Sequence, residues 1–147
     1  MRRRRLTMMT VLIAMAIAIP AHVATAKPEK SESGKHDWLI KHPTIQKLLT
    51  YQNKERARYG MPPLKLDAKM CLAAQKHAVW MADTGYYTHS NLPWPEIIHH
   101  GPTTARGAVD GWIWSPAHYG IMLSSSTKVG LGYMVRGGRT YWVGVFE

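Results

Sequence analysis

The residues best suited to chemistry in this chain are its histidines, and one of them is placed by its neighbours. In Ser115-Pro116-Ala117-His118, serine is a good helix N-cap and proline suits the first helical position. His118 therefore falls in the first turn of a short helix, after Trp112 and Trp114 and before Ile121-Met122-Leu123. An imidazole held among large apolar side chains, yet beside a loop, can face a cleft and there move a proton or bind a metal ion near neutral pH. The other histidines have plainer readings. His77 lies on the packing face of a helix and is read as structural. His99-His100 fall in a loop, and a solvated turn is the default. His36 and His42 belong to the lead-in segment and show no partner. Cys71, among Met70, Leu72, Ala73 and Ala74, is read as a buried, inert thiol rather than a nucleophile. It is the only cysteine, so stability must come from packing without an internal disulfide.

Helices and strands must bring such residues together. Thr44 to Tyr59 is predicted as the first helix, with Ile45, Leu48, Leu49 and Gln52 on one stripe, Gly60 at its end and Pro62-Pro63 blocking continuation. Asp67 to Asp83 is the second, capped by Asp67, patterned by Met70, Ala74, His77, Ala78 and Met81, and ended by Gly85. Tyr86 to His89 is predicted as a short extended piece, and Asn91 to Gly101 as a loop punctuated by Pro93 and Pro95. A third helix spans Thr104 to Trp114, with Gly107 and Gly111 permitting close contact with a sheet, and a fourth spans Pro116 to Leu123. The C-terminus is a hairpin. Val129, Leu131, Tyr133 and Val135 alternate, Gly137-Gly138 supplies the turn, and Tyr141 to Phe146 returns. The returning strand is apolar on both faces, so helices should cover the sheet on each side.

The first 26 residues are excluded from the fold. Arg2 to Arg5, the short apolar run Met8 to Ile19 and the small-x-small site Ala24-Thr25-Ala26 read as a secretory signal peptide, too short in its apolar run for a comfortable membrane span. The expected location is secreted or periplasmic. Residues 27–43 are expected to form a flexible spacer and lead-in, and residues 44–147 one domain. Without the leader, fifteen basic and nine acidic residues remain, a net charge of +6. These charges are scattered and no nucleic-acid module is visible, so no nucleic-acid partner is expected. A monomer with modest attraction to anionic envelope surfaces is the simple consequence.

An ordered series of motifs resembles the CAP superfamily, the SCP-like domain of cysteine-rich secretory proteins, antigen 5 and pathogenesis-related 1 proteins. Asn53, Arg56, Gly60, Pro63-Leu64 and Leu66-Asp67 resemble its opening N-x-x-R-x-x-x-G-x-x-P-L-x-x-D. Gly85 to Ser90 resembles its G-x-x-x-H segment. Pro95-Glu96-Ile97-Ile98 stands where the family has G-E-N-I. Ala108-Val109-x-x-Trp112-x-x-Ser115-Pro116-x-His118 resembles A-V-x-x-W-x-x-S-P-x-H, and Val129-Gly130-x-Gly132-Tyr133 with Tyr141-Trp142 resembles its last strands. The resemblance implies an α+β fold, an α-β-α sandwich around a small antiparallel central sheet. It also implies a cleft formed by His89, Glu96, Ser115 and His118. Ser115 stands where many eukaryotic members carry a second glutamate. The loop from His89 to Glu96 is shorter than usual in the family.

No cofactor is required by this reading, but His89 and His118, with Glu96, suit a divalent metal such as zinc. The favoured function is a secreted, non-catalytic binding module for a lipid, a glycan or a protein of the envelope or the extracellular space. Its alternative is a metal-dependent, protease-like hydrolase using His89, Glu96 and His118, and a third reading leaves the histidines purely structural. A serine hydrolase is disfavoured because an N-cap hydroxyl at Ser115 is engaged with backbone N–H groups. Trp94, between two prolines, is the expected exposed ligand contact.

Overall fold

The computed structural model describes residues 36–147. The expected leader and most of the expected spacer lie outside the described residues. The elements in chain order are α1 (Asp37–Ile40), α2 (Pro43–Arg58), β1 (Lys65–Leu66), α3 (Ala68–Thr84), β2 (Glu96–His100), α4 (Ala105–Ile113), α5 (Pro116–Met122), β3 (Lys128–Arg136) and β4 (Arg139–Phe146). The sheet order is β1-β3-β4-β2. β3, β4 and β2 are antiparallel, as expected, but β1 pairs with β3 in parallel through Lys65–Lys128 and Leu66–Val129, so the sheet is mixed. Parallel pairing follows from the crossover, since β1 and β3 are separated by three helices and β2.

Period-2 alternation in the central strands divides the core into two layers. Tyr141, Val143 and Val145 of β4 and Ile98 of β2 pack with Met70, Ala74, Ala78 and Met81 of α3. Leu131, Trp142 and Phe146 face the other way, with Ile45 and Leu48 of α2 and Val109 and Trp112 of α4. The sandwich thus has α3 on one face and α2, α4 and α5 on the other, and the two-sided apolar pattern of β4 is its signature in the sequence. β3 lies so close to α3 that a Cβ at Gly130 would run into the Met70 backbone, and one at Gly132 into the Ala74–Gln75 backbone. Past the end of β1, Gln75 closes the exposed edge of β3 by accepting from Tyr133 N and donating to Tyr133 O.

Several boundaries differ from expectation. The fold begins before residue 44: Leu39 of α1 is in the core, and α2 starts at Pro43 with His42, not Thr44, as its cap. The His42 ring accepts the Thr44 N–H, which gives a partner to a histidine that had none in the sequence. The extended Tyr86–His89 piece is not a strand. The strand is Glu96–His100, inside the expected loop. Pro93 and Pro95 marked this region as irregular, yet a proline just before a strand interrupts no ladder bond. His99 and His100 therefore sit on a strand rather than in a solvated turn.

The loops are pinned by side-chain bonds to the backbone. Asn53 donates to Leu64 O and accepts from Leu64 N. Arg56, fully buried, donates to the carbonyls of Pro62, Met122, Ser124 and Ser126 at 2.8–3.0 Å. Replacing Arg56 by Met should leave those carbonyls unpaired and lower stability by about 3 kcal/mol. Lysine, a point donor rather than a planar fork, should recover only part of the loss in urea unfolding.

Candidate functional site

β2 is the edge strand of the sheet, and its residues divide between the two faces. Glu96 and Ile98 face α3, while Ile97 and His99 face α4 and α5. The segment before β2 crosses this free edge. There the Tyr87 hydroxyl donates to Ile98 O at 3.1 Å, blunting an edge that is otherwise open to pairing.

Glu96 anchors the segment. Its carboxylate is buried and accepts three hydrogen bonds: from Ser90 N at 2.8 Å, from the Ser90 hydroxyl at 2.6 Å and from His89 Nδ1 at 2.8 Å. Because the carboxylate accepts, His89 carries a proton on Nδ1, which leaves Nε2 as the outward nitrogen. The His89 side chain is 54% exposed, so Nε2 is open to solvent or a ligand. From the α3 side, His77 Nε2 approaches Glu96 to 4.0 Å while donating to Thr88 O at 2.9 Å. His77 is structural, as expected, and it also holds the segment that carries His89.

His118, from the first turn of α5, meets His89 edge-on, with ring centroids 5.8 Å apart at 61°. Three of the expected cleft residues, His89, Glu96 and His118, thus belong to one cluster around the sheet edge, with Glu96 contacting His89 and His89 contacting His118. Ser115 caps α5 by position, but its hydroxyl makes no cap bond. Pro116 lacks an N–H, so the first turn offers one donor fewer, and the turn is closed by Tyr119 N donating to Ser115 O at 2.8 Å. Trp94 is half-buried against the α3-side core rather than freely exposed, because its ring helps roof that layer. The exposed tryptophans among the described residues are Trp38, Trp80 and Trp114, the last at 86%.

Two residues of the cluster could not be picked out from the sequence. Ser90 is an ordinary polar residue until Glu96 folds back onto it. His99 is close enough to His118 to disfavour its protonation, and its ring fills the space beside Gly111, where a Cβ would collide with it. The Gly111 signal was visible, but not its partner. Partial burial lowers the proton affinity of His118, and His89 and His99 add to this, with Glu96 opposing. His99 is likewise lowered, by burial and then by His100. Both imidazoles are therefore neutral at pH 7 and present lone pairs. Among the described residues, no group of three or more His, Cys, Asp and Glu side chains forms a metal-binding set. A pair of imidazoles is the most that the cluster offers a cation.

The Cys71 thiol is buried, accepts from Leu131 N and is pushed up to about 11 by desolvation, which makes it inert at neutral pH.

The model of the cysteine-rich secretory protein family matches residues 49–146. The chain belongs to this CAP family. Across its matched region it is 29% identical to the secreted protein RBT4 of Candida albicans, covering 70% of this chain and about a third (34%) of that protein's length. Among solved structures, an outer surface protein of Borrelia burgdorferi superposes with a TM-score of 0.65 at 17% identity, covering 73% of this chain and 92% of that one. The structure of NaASP2 with Zn2+ superposes with a TM-score of 0.57 at 16% identity, covering 70% and 78%. At such identities the likeness is one of fold. The CAP fold accounts for the α-β-α order.

The shifts of His118 and His99 give a pH dependence with a definite sign. Their folded proton affinities lie below the ordinary value of 6.5, so in acid the unfolded chain takes up protons first. The thermal midpoint should therefore fall as pH is lowered from 7 to 5. In the double variant His99→Gln/His118→Gln that slope should flatten, as read by calorimetry.

Proposed function

We propose that this CAP domain works outside the cell as a non-catalytic binding module, and that His89 and His118 are its ligand-facing pair. The observation that carries this reading is the state of Glu96. A carboxylate that activates water or binds a metal directly needs an oxygen facing the reacting group, and this one is buried with three donors from Ser90 and His89 on it. Its effect is to orient His89 and fix the tautomer, as carboxylates do behind metal-binding histidines. Export is supported by the Arg-rich leader sequence and by the secreted Candida relative.

His89 Nε2 and the lone pair of the neutral His118 ring suit a divalent cation such as zinc, and the zinc-containing fold neighbour supports that choice. Two protein ligands leave the remaining positions to water or to the bound molecule, so binding by the protein alone is weak. The Glu96 cluster also borders a groove of about 760 Å³. His77 and Ser90 reach it, Leu72, Leu92 and Trp94 line it, and Lys69 and Lys76 stand at its rim. An apolar body with an anionic head, a lipid, fits this lining better than a glycan does.

Zinc titration by calorimetry tests the histidine pair. Wild-type protein should bind zinc at pH 7.5 and lose affinity at pH 5.5 as the imidazoles protonate. His89→Ala/His118→Ala should bind at least about tenfold more weakly. Equal binding by both proteins would remove the cation from the proposal. Sedimentation with anionic lipid vesicles tests the groove: Leu72→Asp should abolish co-sedimentation, and an unchanged pellet would point to a glycan or protein ligand instead.

A further inference from the structure

β3 alternates its backbone bonds between two sides. Lys128 exchanges both of its bonds with Glu147, so the even-numbered residues from Lys128 to Met134 pair with β4 and the odd-numbered ones point to the outer edge. Along that edge the outward residues find partners in turn. Val129 O accepts from Asp67 N, Leu131 N donates to Cys71 Sγ, and Tyr133 is bonded at both N and O by the Gln75 side chain. Val135 is next. It stands opposite Thr140, is 55% exposed, and has no hydrogen-bond partner for its outward N–H and C=O among the described residues.

A bare backbone edge is by itself only a hazard. Here two cavities open beside it, and Tyr133 and Val135 line both. One, of about 300 Å³, lies on the α3 side, between Gln75, Met134 and the α1 residues Trp38 and Leu39. The other, of about 540 Å³, lies on the α2 and α4 side, and its wall holds Lys47 and Arg106 and no carboxylate. Successive side chains of an extended segment point to opposite faces. A segment laid beside Val135, in line with the Gln75 amide, would send one side chain into the first cavity and the next into the second. Charge selects the occupant. Lys47 and Arg139 form no ion pair among the described residues, whereas Arg106 is held by Asp110 and Arg136 by Asp83. A second copy of this chain, paired edge to edge, would set these cations against their own counterparts. A segment with an acidic side chain beside Lys47 meets the opposite charge.

We infer that the β3 edge at Val135 takes up an extended peptide of a partner protein, one that alternates apolar and acidic residues. The Val135 N–H and C=O give the main-chain bonds, as in strand addition, and the two cavities read the side chains. Trp38 and Met134 cover the apolar side chain, and Lys47 pairs with the acidic one. With only two main-chain bonds, binding is weak and reversible. None of these residues belongs to the histidine cluster or lines the groove beside it, so this contact is independent of the cation and lipid sites proposed above.

Amide NMR with the end-capped pentapeptide Leu-Glu-Leu-Glu-Leu tests this. In the protein alone the Val135 amide should exchange with solvent faster than that of Tyr133, which is bonded to Gln75. Saturating peptide should slow Val135 exchange at least about tenfold and shift the resonances of Val135 and its neighbours. The same peptide methylated at its backbone nitrogens should do neither, and nor should Leu-Lys-Leu-Lys-Leu. Lys47→Glu should weaken binding of Leu-Glu-Leu-Glu-Leu at least about threefold. Val135→Pro removes the outward N–H, a change that an edge strand tolerates, and should weaken it severalfold. Where that variant has a lowered thermal midpoint, the methylated peptide makes the same test on the unaltered protein. Equal binding of either control peptide, or shifts confined to the His89 and His118 region, would overturn the assignment. Slow Val135 exchange without peptide would do so too. It would give the edge to a second copy if the protection rises with protein concentration, and to the chain itself if it does not.

Discussion

A carboxylate buried at the edge of a sheet must be fully bonded, and Glu96 meets that constraint with donors from one short segment. Ser90 gives it a backbone N–H and a hydroxyl, and His89 gives it a ring N–H. Each donor fixes a part of the chain that has no regular structure of its own. The residues between α3 and β2 form no strand, yet they cross the open side of β2 in one defined path. That path sets the height and direction of His89, and with it the meeting with His118. Without the clamp, the Tyr87 and His77 bonds and the packing of Leu92 and Trp94 would still hold parts of the segment, but nothing would fix the direction of the His89 ring.

The same principle operates at the far side of the fold, with the charges reversed. Arg56 is a buried cation without a carboxylate partner among the described residues, and it is satisfied by four backbone carbonyls. Burial lowers its proton affinity, but a guanidinium stays charged throughout the accessible range. One of those carbonyls, Met122, ends α5 and two, Ser124 and Ser126, belong to the connection from α5 to β3, so Arg56 fixes the end of α5. Glu55, its neighbour, is buried beside Tyr119 of α5. Burial would raise that carboxyl, but the hydrogen bonds from Tyr119 and Arg58 outweigh it and hold the carboxyl below its ordinary range. α5 is thus held from α2 at both Met122 and Tyr119, and His118 lies next to the second of these.

Features with a local cause were legible in the sequence. Asp67 caps α3 and Gly85 ends it in the left-handed region, as their types require. The Gly137-Gly138 turn, with both residues at positive φ, and the two-sided β4 gave the hairpin and the layering. What could not be read depends on contacts between distant residues. β2 is a strand because Glu96–His100 finds β4 to pair with, and two nearby prolines concealed it. β1 is two residues long and exists only through its pairing with β3. His42 caps a helix with its ring, a role for which serine, threonine and aspartate are the usual signals. The site was legible as positions through the CAP resemblance, and Ser90 and His99 remained hidden because their significance lies in which side chains face them.

The electrostatics of the cluster decide what kind of chemistry it favours. A carboxylate near a histidine pair would ordinarily draw protons onto the rings. Here the oxygens of Glu96 are taken up by Ser90 and His89, on the far side of His89 from His118, and their pull on His118 is the smallest of the effects acting on it. Burial and the two neighbouring imidazoles prevail, so His118 resists protonation. On the His118 ring the balance favours the neutral form, which keeps a lone pair available and suits the cation-binding role proposed for it.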